Sequence, residues 1–165
     1  MTGEIERLLD ETGWQILYAL QQEARLSYGE IGQRVGLTAP AVSERVRKLE
    51  EAGVITGYHA EINRALVGLP VTAIIRMGLN PPQTSARAIE SIRDVPEVLE
   101  CFRAMGSDTI ILKVGATSIE HLESLIDRLL IYGPLTSSLV LSTPVSRRAV
   151  TRDVIALGAS RGHDK

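Results

Sequence analysis

Between residues 8 and 62 apolar positions recur at helical spacing, broken only by short polar turns. Ile16, Leu17 and Leu20 form the first stripe, and Thr12 followed by Gln15 predicts a capping box at its start. Ser27 followed by Glu30 predicts a second capping box, opening a short helix through Ile31 and Val35 that closes at Gly36. Thr38 is the expected N-cap of a third helix, with Pro40 in the first turn, where a missing amide hydrogen costs little. Val42, Val46 and Leu49 stand at i, i+4 and i+7 and form its buried stripe; Gly53 supplies a left-handed stop. Val54, Ile55 and residues 58–62 then alternate around Gly57, predicting a small two-stranded wing.

From residue 71 the pattern changes. Residues 71–79 read as a strand ended by Asn80-Pro81-Pro82. Ser85 is expected to cap a helix through Ala88, Ile89 and Ile92 that stops before Pro96. A second strand spans 98–105, and a tight Gly106-Ser107-Asp108 turn leads into a third, where Ile110, Leu112 and Val114 alternate with Ile111 and Lys113. Ser118 caps a longer helix whose predicted buried stripe is Ile119, Leu122, Ile126 and Leu129. A last strand, 136–143, follows Gly133-Pro134. The order βαββαβ predicts a ferredoxin-like sheet of four antiparallel strands with two helices on one face. In a domain of about 75 residues the other face needs a cover, and a partner subunit is the expected one. The tail beyond residue 145 is expected to be a solvated extension with a helical stretch near 150–157.

The fold class is therefore α+β. Residues 1–62 are expected to form a winged helix-turn-helix, 63–70 a linker, 71–145 the ferredoxin-like domain and 146–165 the tail. In a helix-turn-helix the third helix enters the major groove of DNA. With Val42, Val46 and Leu49 turned inward, Pro40, Ser43, Glu44 and Arg47 face outward, and Arg45 and Lys48 flank them within reach of phosphates.

Charge modifies that picture. The chain has 165 residues and a formal net charge of −2. Residues 1–62 hold six Lys/Arg against ten Asp/Glu, a net of −4, and the remainder twelve against ten, a net of +2. A global basic balance would advertise a nucleic-acid partner; here any such contact rests on local arrangement. Hydrophobic residues at 44% and charged residues at 23% exclude a disordered chain or a fibre. The apolar runs, such as 71–75 and 139–141, are far short of the roughly 20 residues of a membrane span. Glu4, Glu6, Asp10 and Glu11 stand where a basic, apolar leader would, and the single Cys101 allows no internal disulfide, so a cytoplasmic protein is expected.

Several strings then carry a family resemblance: Leu9-Asp10-Glu11-Thr12, Ala24-Arg25-Leu26-Ser27-Tyr28, Val35-Gly36-Leu37-Thr38 and the run Ala41 to Ile55. It continues in Val95-Pro96-Glu97-Val98, Cys101-Phe102 to Gly106, and Ser138-Leu139-Val140-Leu141. Together they resemble the Lrp/AsnC transcription regulators, also called feast/famine regulatory proteins. The resemblance implies a DNA-binding regulator whose second domain, of the RAM, ACT-like kind, dimerises, assembles further, often to octamers, and senses amino acids. It implies that 38–51 is the recognition helix, with Thr38, Pro40, Ser43, Glu44 and Arg47 at base edges. Ser27 and Tyr28 would meet a phosphate at a helix N-terminus. Glu44 stands where the family commonly has a basic residue; it can accept from cytosine N4 or simply weaken affinity. The implied effector-binding turn comprises Met105, Gly106, Ser107, Asp108 and Thr109. There the family pattern resembles Gly-Asp-x-Asp, whereas this chain has Gly106-Ser107-Asp108-Thr109, moving the acid by one residue.

Nothing in the chain reads as catalytic machinery. His59, His121 and His163 share no ligand spacing, so no metal is expected, and no phosphate loop, dinucleotide fingerprint or nucleophile elbow is present. Cys101 reads as a core residue and Trp14 as packing. The expected partners are double-stranded promoter DNA of partly palindromic sequence, further copies of the chain and an amino acid; no cofactor and no membrane are expected. Two rival readings stand beside this one. One is an architectural DNA-compacting protein of weak specificity without an effector. The other is a small-molecule-binding subunit of an enzyme complex, for which the second domain alone would suffice.

Overall fold

A computed structural model describes residues 3–80, 85–106 and 109–160, with side chains through residue 157. The chain divides into two compact units: one runs through Ala60 and resumes at Val145, and the other is Glu61–Pro144.

In the first unit a short helix, α1 (Gly3–Leu8), precedes α2 (Glu11–Gln22), α3 (Tyr28–Val35) and α4 (Ala39–Glu51). The predicted Thr12 cap is corrected: Asp10 is the N-cap of α2, its Oδ1 accepting the Gly13 amide at 2.7 Å. Both capping-box bonds between Ser27 and Glu30 are present on α3, and Gly36 closes it at φ 72°. Gly32 lies so close to the following turn that a Cβ there would meet the Leu37 carbonyl oxygen at 2.4 Å. Thr38 caps α4 as expected. Ile16, Ile31, Val42, Val46 and Leu49 are fully or almost fully buried at the centre of this unit.

The predicted wing does not form as a ladder; residues 56–63 carry no strand. The amides of Val54 and Ile55 are taken by the Leu49 carbonyl, at 2.9 and 3.1 Å, and their side chains pack on the core. Capping the end of α4 thus consumes the donors that the first strand of a wing would need. The tail also departs from expectation, because it docks on its own unit. The Gln21 side-chain amide donates to Val150 O at 3.0 Å, and Gln21 Oε1 accepts the Val150 amide at 2.8 Å. A last helix, α7 (Arg152–Ser160), follows, and a groove lined by Trp14, Tyr18 and Val150 lies between the tail and α2.

The second unit contains β1 (Val71–Met77), α5 (Ser85–Arg93), β2 (Val98–Arg103), β3 (Ile110–Ala116), α6 (Ile119–Leu129) and β4 (Leu135–Leu139). The sheet order is β2-β3-β1-β4, every pair antiparallel, which is the ferredoxin-like arrangement. Ala73, Ile75, Met77, Ile110, Leu112 and Val114 pack under Ala88 and Ile92 of α5 and Leu122, Leu125 and Leu129 of α6. The stripe of α6 is corrected: Leu125 is buried, whereas Ile119, next to the Ser118 cap, is exposed. β1, β2 and β4 are shorter than predicted, and Ser85 is the first helical residue of α5. Cys101 is exposed, not core, because β2 is an edge strand with a neighbour on one side only. The opposite face of the sheet carries exposed Phe102 beside half-buried Ile111, which pairs with Arg76, and half-buried Ile74 opposite Lys113, itself ion-paired with Glu100.

Candidate nucleic-acid interface and effector turn

The sequence places two kinds of residue on α4. Burial of Val42, Val46 and Leu49 leaves Pro40, Glu44, Arg47, Lys48 and Glu51 on the outward stripe, and Ser43 is half-buried at its border. Thr38 and Pro40 are exposed at the helix start, where Pro40 has no amide hydrogen and the Ala41 amide is taken by the Thr38 hydroxyl.

The outward charges are paired with one another. The guanidinium of Arg47 donates through Nε to Glu44 Oε2 at 3.0 Å and through Nη2 to Glu44 Oε1 at 2.7 Å, a two-pronged ion pair one turn apart. A further nitrogen of Arg47 donates to Glu51, and Lys48 Nζ lies 3.3 Å from Glu44 Oε1. The hydrogen bonds from Arg47 and then Lys48 hold the Glu44 carboxyl below the usual carboxylate range. Glu44, and next Glu51, raise the already high pKa of Arg47.

Arg45 has a different setting. Its two terminal nitrogens donate to the two carboxylate oxygens of Asp10 at 2.8 and 2.9 Å, fastening α4 to the cap of α2. The Arg45 bond is the leading cause of a lowered Asp10 pKa. Ser27 is also engaged: its amide and hydroxyl both donate to Glu30, at 2.7 and 2.6 Å. Tyr28 beside it is exposed. Beyond α4, the Tyr58 hydroxyl donates to Glu50 Oε1 at 2.9 Å; burial first, and that bond second, push its pKa up to about 12.

In the second unit the candidate effector turn lies between β2 and β3. Met105 is fully exposed, Gly106 has φ 125°, and the Ala104 amide donates to Thr109 O at 3.0 Å. Ser107 and Asp108 lie outside the described residues. The Thr109 hydroxyl oxygen is buried without a hydrogen-bond partner among the described residues. Elsewhere in this unit, Glu97 accepts from Arg128 and lies 3.0 Å from His121 Nε2.

Sequence reasoning missed the Asp10–Arg45 and Glu97–His121–Arg128 joints, which link residues far apart in the chain. It also missed the pairing of Arg47, for which a signal was present: Glu44 and Glu51 stand at i−3 and i+4, the spacings that meet on a helix surface. Among the described residues there is no group of three or more His, Cys, Asp and Glu able to hold a metal, and no helix is long and apolar enough to cross a membrane.

Comparison with known proteins covers nearly the whole fold. Residues 9–56 match the family model described as winged helix-turn-helix DNA-binding, and residues 72–150 the one described as Lrp/AsnC ligand binding domain. The HTH-type transcriptional regulator YezC of Bacillus subtilis is 39% identical over 135 residues, 82% of this chain and 95% of that protein. The solved structure of B. subtilis LrpC superposes with a TM-score of 0.79 at 30% identity, covering 84% of this chain and 99% of that one. A feast or famine regulatory protein from M. tuberculosis, solved with L-methionine, gives 0.81 at 30% identity, over 87% and 99%.

Proposed function

Since the chain belongs to the Lrp/AsnC family of DNA-binding transcriptional regulators, we propose that it is a sequence-specific regulator that works as a homodimer or a larger assembly, up to an octamer, and answers to an amino acid or a related small metabolite. The observation that carries this reading is the outward stripe of α4, where Thr38, Pro40, Ser43, Glu44, Arg47 and Lys48 lie opposite a fully buried stripe.

In the proposed complex α4 enters the major groove, and Thr38, Pro40, Ser43, Glu44 and Arg47 meet base edges. Lys48 and Tyr28 approach phosphates. Ser27 acts through its capping box, which fixes the start of α3, and Arg45 through Asp10, which fixes the pitch of α4 against α2. Two copies related by a two-fold axis would present two such helices about 34 Å apart, matching a partly palindromic operator. On the helix-free sheet face, exposed Phe102 with half-buried Ile74 and Ile111 beside it supports pairing through the second unit, where apolar area would leave water.

The effector reading rests on the turn Met105, Gly106, Ser107, Asp108 and Thr109. L-methionine bound to the M. tuberculosis relative supports an amino acid as the class, and the unpartnered Thr109 hydroxyl supports a polar group approaching there. The proposed site of action is the cytoplasm.

The test is binding of the purified protein to its own upstream promoter DNA at fixed salt, with and without each of the twenty amino acids. Tight promoter binding altered by one of them is the expected result. Binding indifferent to all would remove the effector, and no preference over random DNA would favour an architectural role.

A further inference from the structure

We propose that Glu44 and Arg47 read a single G·C base pair as one unit, so that each half of the operator contains a G·C pair whose replacement by A·T is rejected through Glu44. This rests on the reading of α4 as the helix that enters the major groove.

Three observations carry it. Glu44 and Arg47 are both about half exposed on the outward stripe, at 50% and 52% of their side-chain surface. They are joined by two parallel hydrogen bonds, so carboxylate and guanidinium are presented side by side. Finally, Lys48 and Glu51 flank the pair, so that the four formal charges cancel. A neutral stripe on a unit whose residues 1–62 carry a net charge of −4 has little general attraction for phosphate. Affinity at this helix has to come from matched contacts.

The chemistry of the pair matches one base pair. Guanine shows two acceptors in the major groove, N7 and O6, and its cytosine shows one donor, the N4 amino group, beside them. A guanidinium edge donates to the two acceptors, and a neighbouring carboxylate accepts from the donor. Protein acceptor beside protein donor thus mirrors base donor beside base acceptor. If thymine replaces cytosine, its O4 acceptor faces the carboxylate, and adenine puts an amino donor before Arg47. Both contacts then turn repulsive, which is how a recognition element discriminates through mismatch as well as match.

The experiment selects binding sites for the full-length protein from a pool of random duplexes. Wild type, Glu44→Gln and Arg47→Ala are then titrated on the selected duplex and on versions with each G·C pair changed to A·T. The expected result for wild type is a loss of about 10- to 100-fold at one pair per half-site. In Glu44→Gln the same change should cost at least about threefold less than in wild type, because the glutamine amide can donate to the thymine O4 that then faces it. Binding of this variant to random duplex should rise, with a salt dependence steeper by about one ion. Both side chains are solvent-exposed, and an unchanged thermal midpoint shows that the variants fold. If Glu44→Gln alters affinity for every duplex by the same factor, the inference is overturned and Glu44 is only a counter-charge. If Arg47→Ala keeps full affinity for the selected duplex, the placement of α4 in the groove fails as well, and the two failures are distinguishable.

Discussion

In the unit that carries α4 the exposed stripe is made of charges that answer one another, Glu44 with Arg47 and Lys48, whereas the helix-free face of the sheet sets exposed Phe102 and half-buried Ile74 and Ile111 among Arg76 and the Lys113–Glu100 pair. The two surfaces differ in what a contact made on them would gain or lose. Opening an exposed ion pair costs on the order of 1 kcal/mol or less, so the first surface can exchange its internal contacts for external ones reversibly and with salt sensitivity. The second recovers free energy only when apolar area leaves water, at about 25 cal/mol per Å², and it favours a lasting partner. In the proposed assembly this asymmetry would let the copies leave DNA without coming apart.

The strongest way to break the comparison is Ile111→Asp. A charge at the middle of the open face should convert the assembly to monomers in sedimentation, and operator affinity should fall by at least about 100-fold as the two recognition helices cease to act together. An unchanged assembly would place the copies elsewhere. Gly32→Ala attacks the other unit. Its Cβ would stand 2.4 Å from the Leu37 carbonyl oxygen, so the turn into α4 must shift. A destabilisation of about 2 to 3 kcal/mol is expected in denaturant melts, with DNA binding weakened and the assembly intact.

A smaller effect sharpens the contrast through pH. The bond from Arg45 lowers the Asp10 pKa below its value in the unfolded chain, so its contribution is complete above the unfolded value and is lost as pH falls through the folded one. Asp10 is partly exposed, and solvent screening holds that contribution to about 1 kcal/mol or less. Wild type should therefore be more stable than Asp10→Asn at pH 7, and the two melting curves should converge below about pH 4. The smallest expected effect belongs to Gln21→Ala, a loss of about 1 kcal/mol from two exposed hydrogen bonds. Hydrogen exchange at Val150 should report it first, while protection of β1 and β3 stays unchanged.

Local features were legible in the sequence and distant ones were not. The Ser27 capping box, the Thr38 cap and the left-handed Gly36 and Gly53 depend on residues within one turn, and all four are as read. The Val42-Val46-Leu49 stripe and the βαββαβ order follow from periodicity, which burial enforces. Where two local solutions competed, the choice lay elsewhere. Thr12 and Asp10 can both cap α2, and the decision rests with Arg45, thirty-five residues away, which holds both oxygens of Asp10. Alternation around Gly57 resembles a wing, yet the end of α4 claims the amides of Val54 and Ile55. Ile119 follows the periodicity of α6, but sits at the first helical position beside the cap and turns to solvent. Of the candidate interface, the outward residues were legible from spacing, whereas the partners of Ser27 and Arg45 became visible only in three dimensions.

The docking of the tail also changes how the chain can be taken apart. Because it returns to its first unit at Val145, one cut after Ala60 does not separate two complete modules. A fragment ending there lacks Val150, leaves both hydrogen-bonding groups of Gln21 empty and strips one wall from the groove beside Trp14 and Tyr18. The sheet, in contrast, is continuous in sequence from Glu61 to Pro144 and can be excised whole. In the order of the chain, the sheet stands as an insert between the helix-turn-helix and the tail that docks on it.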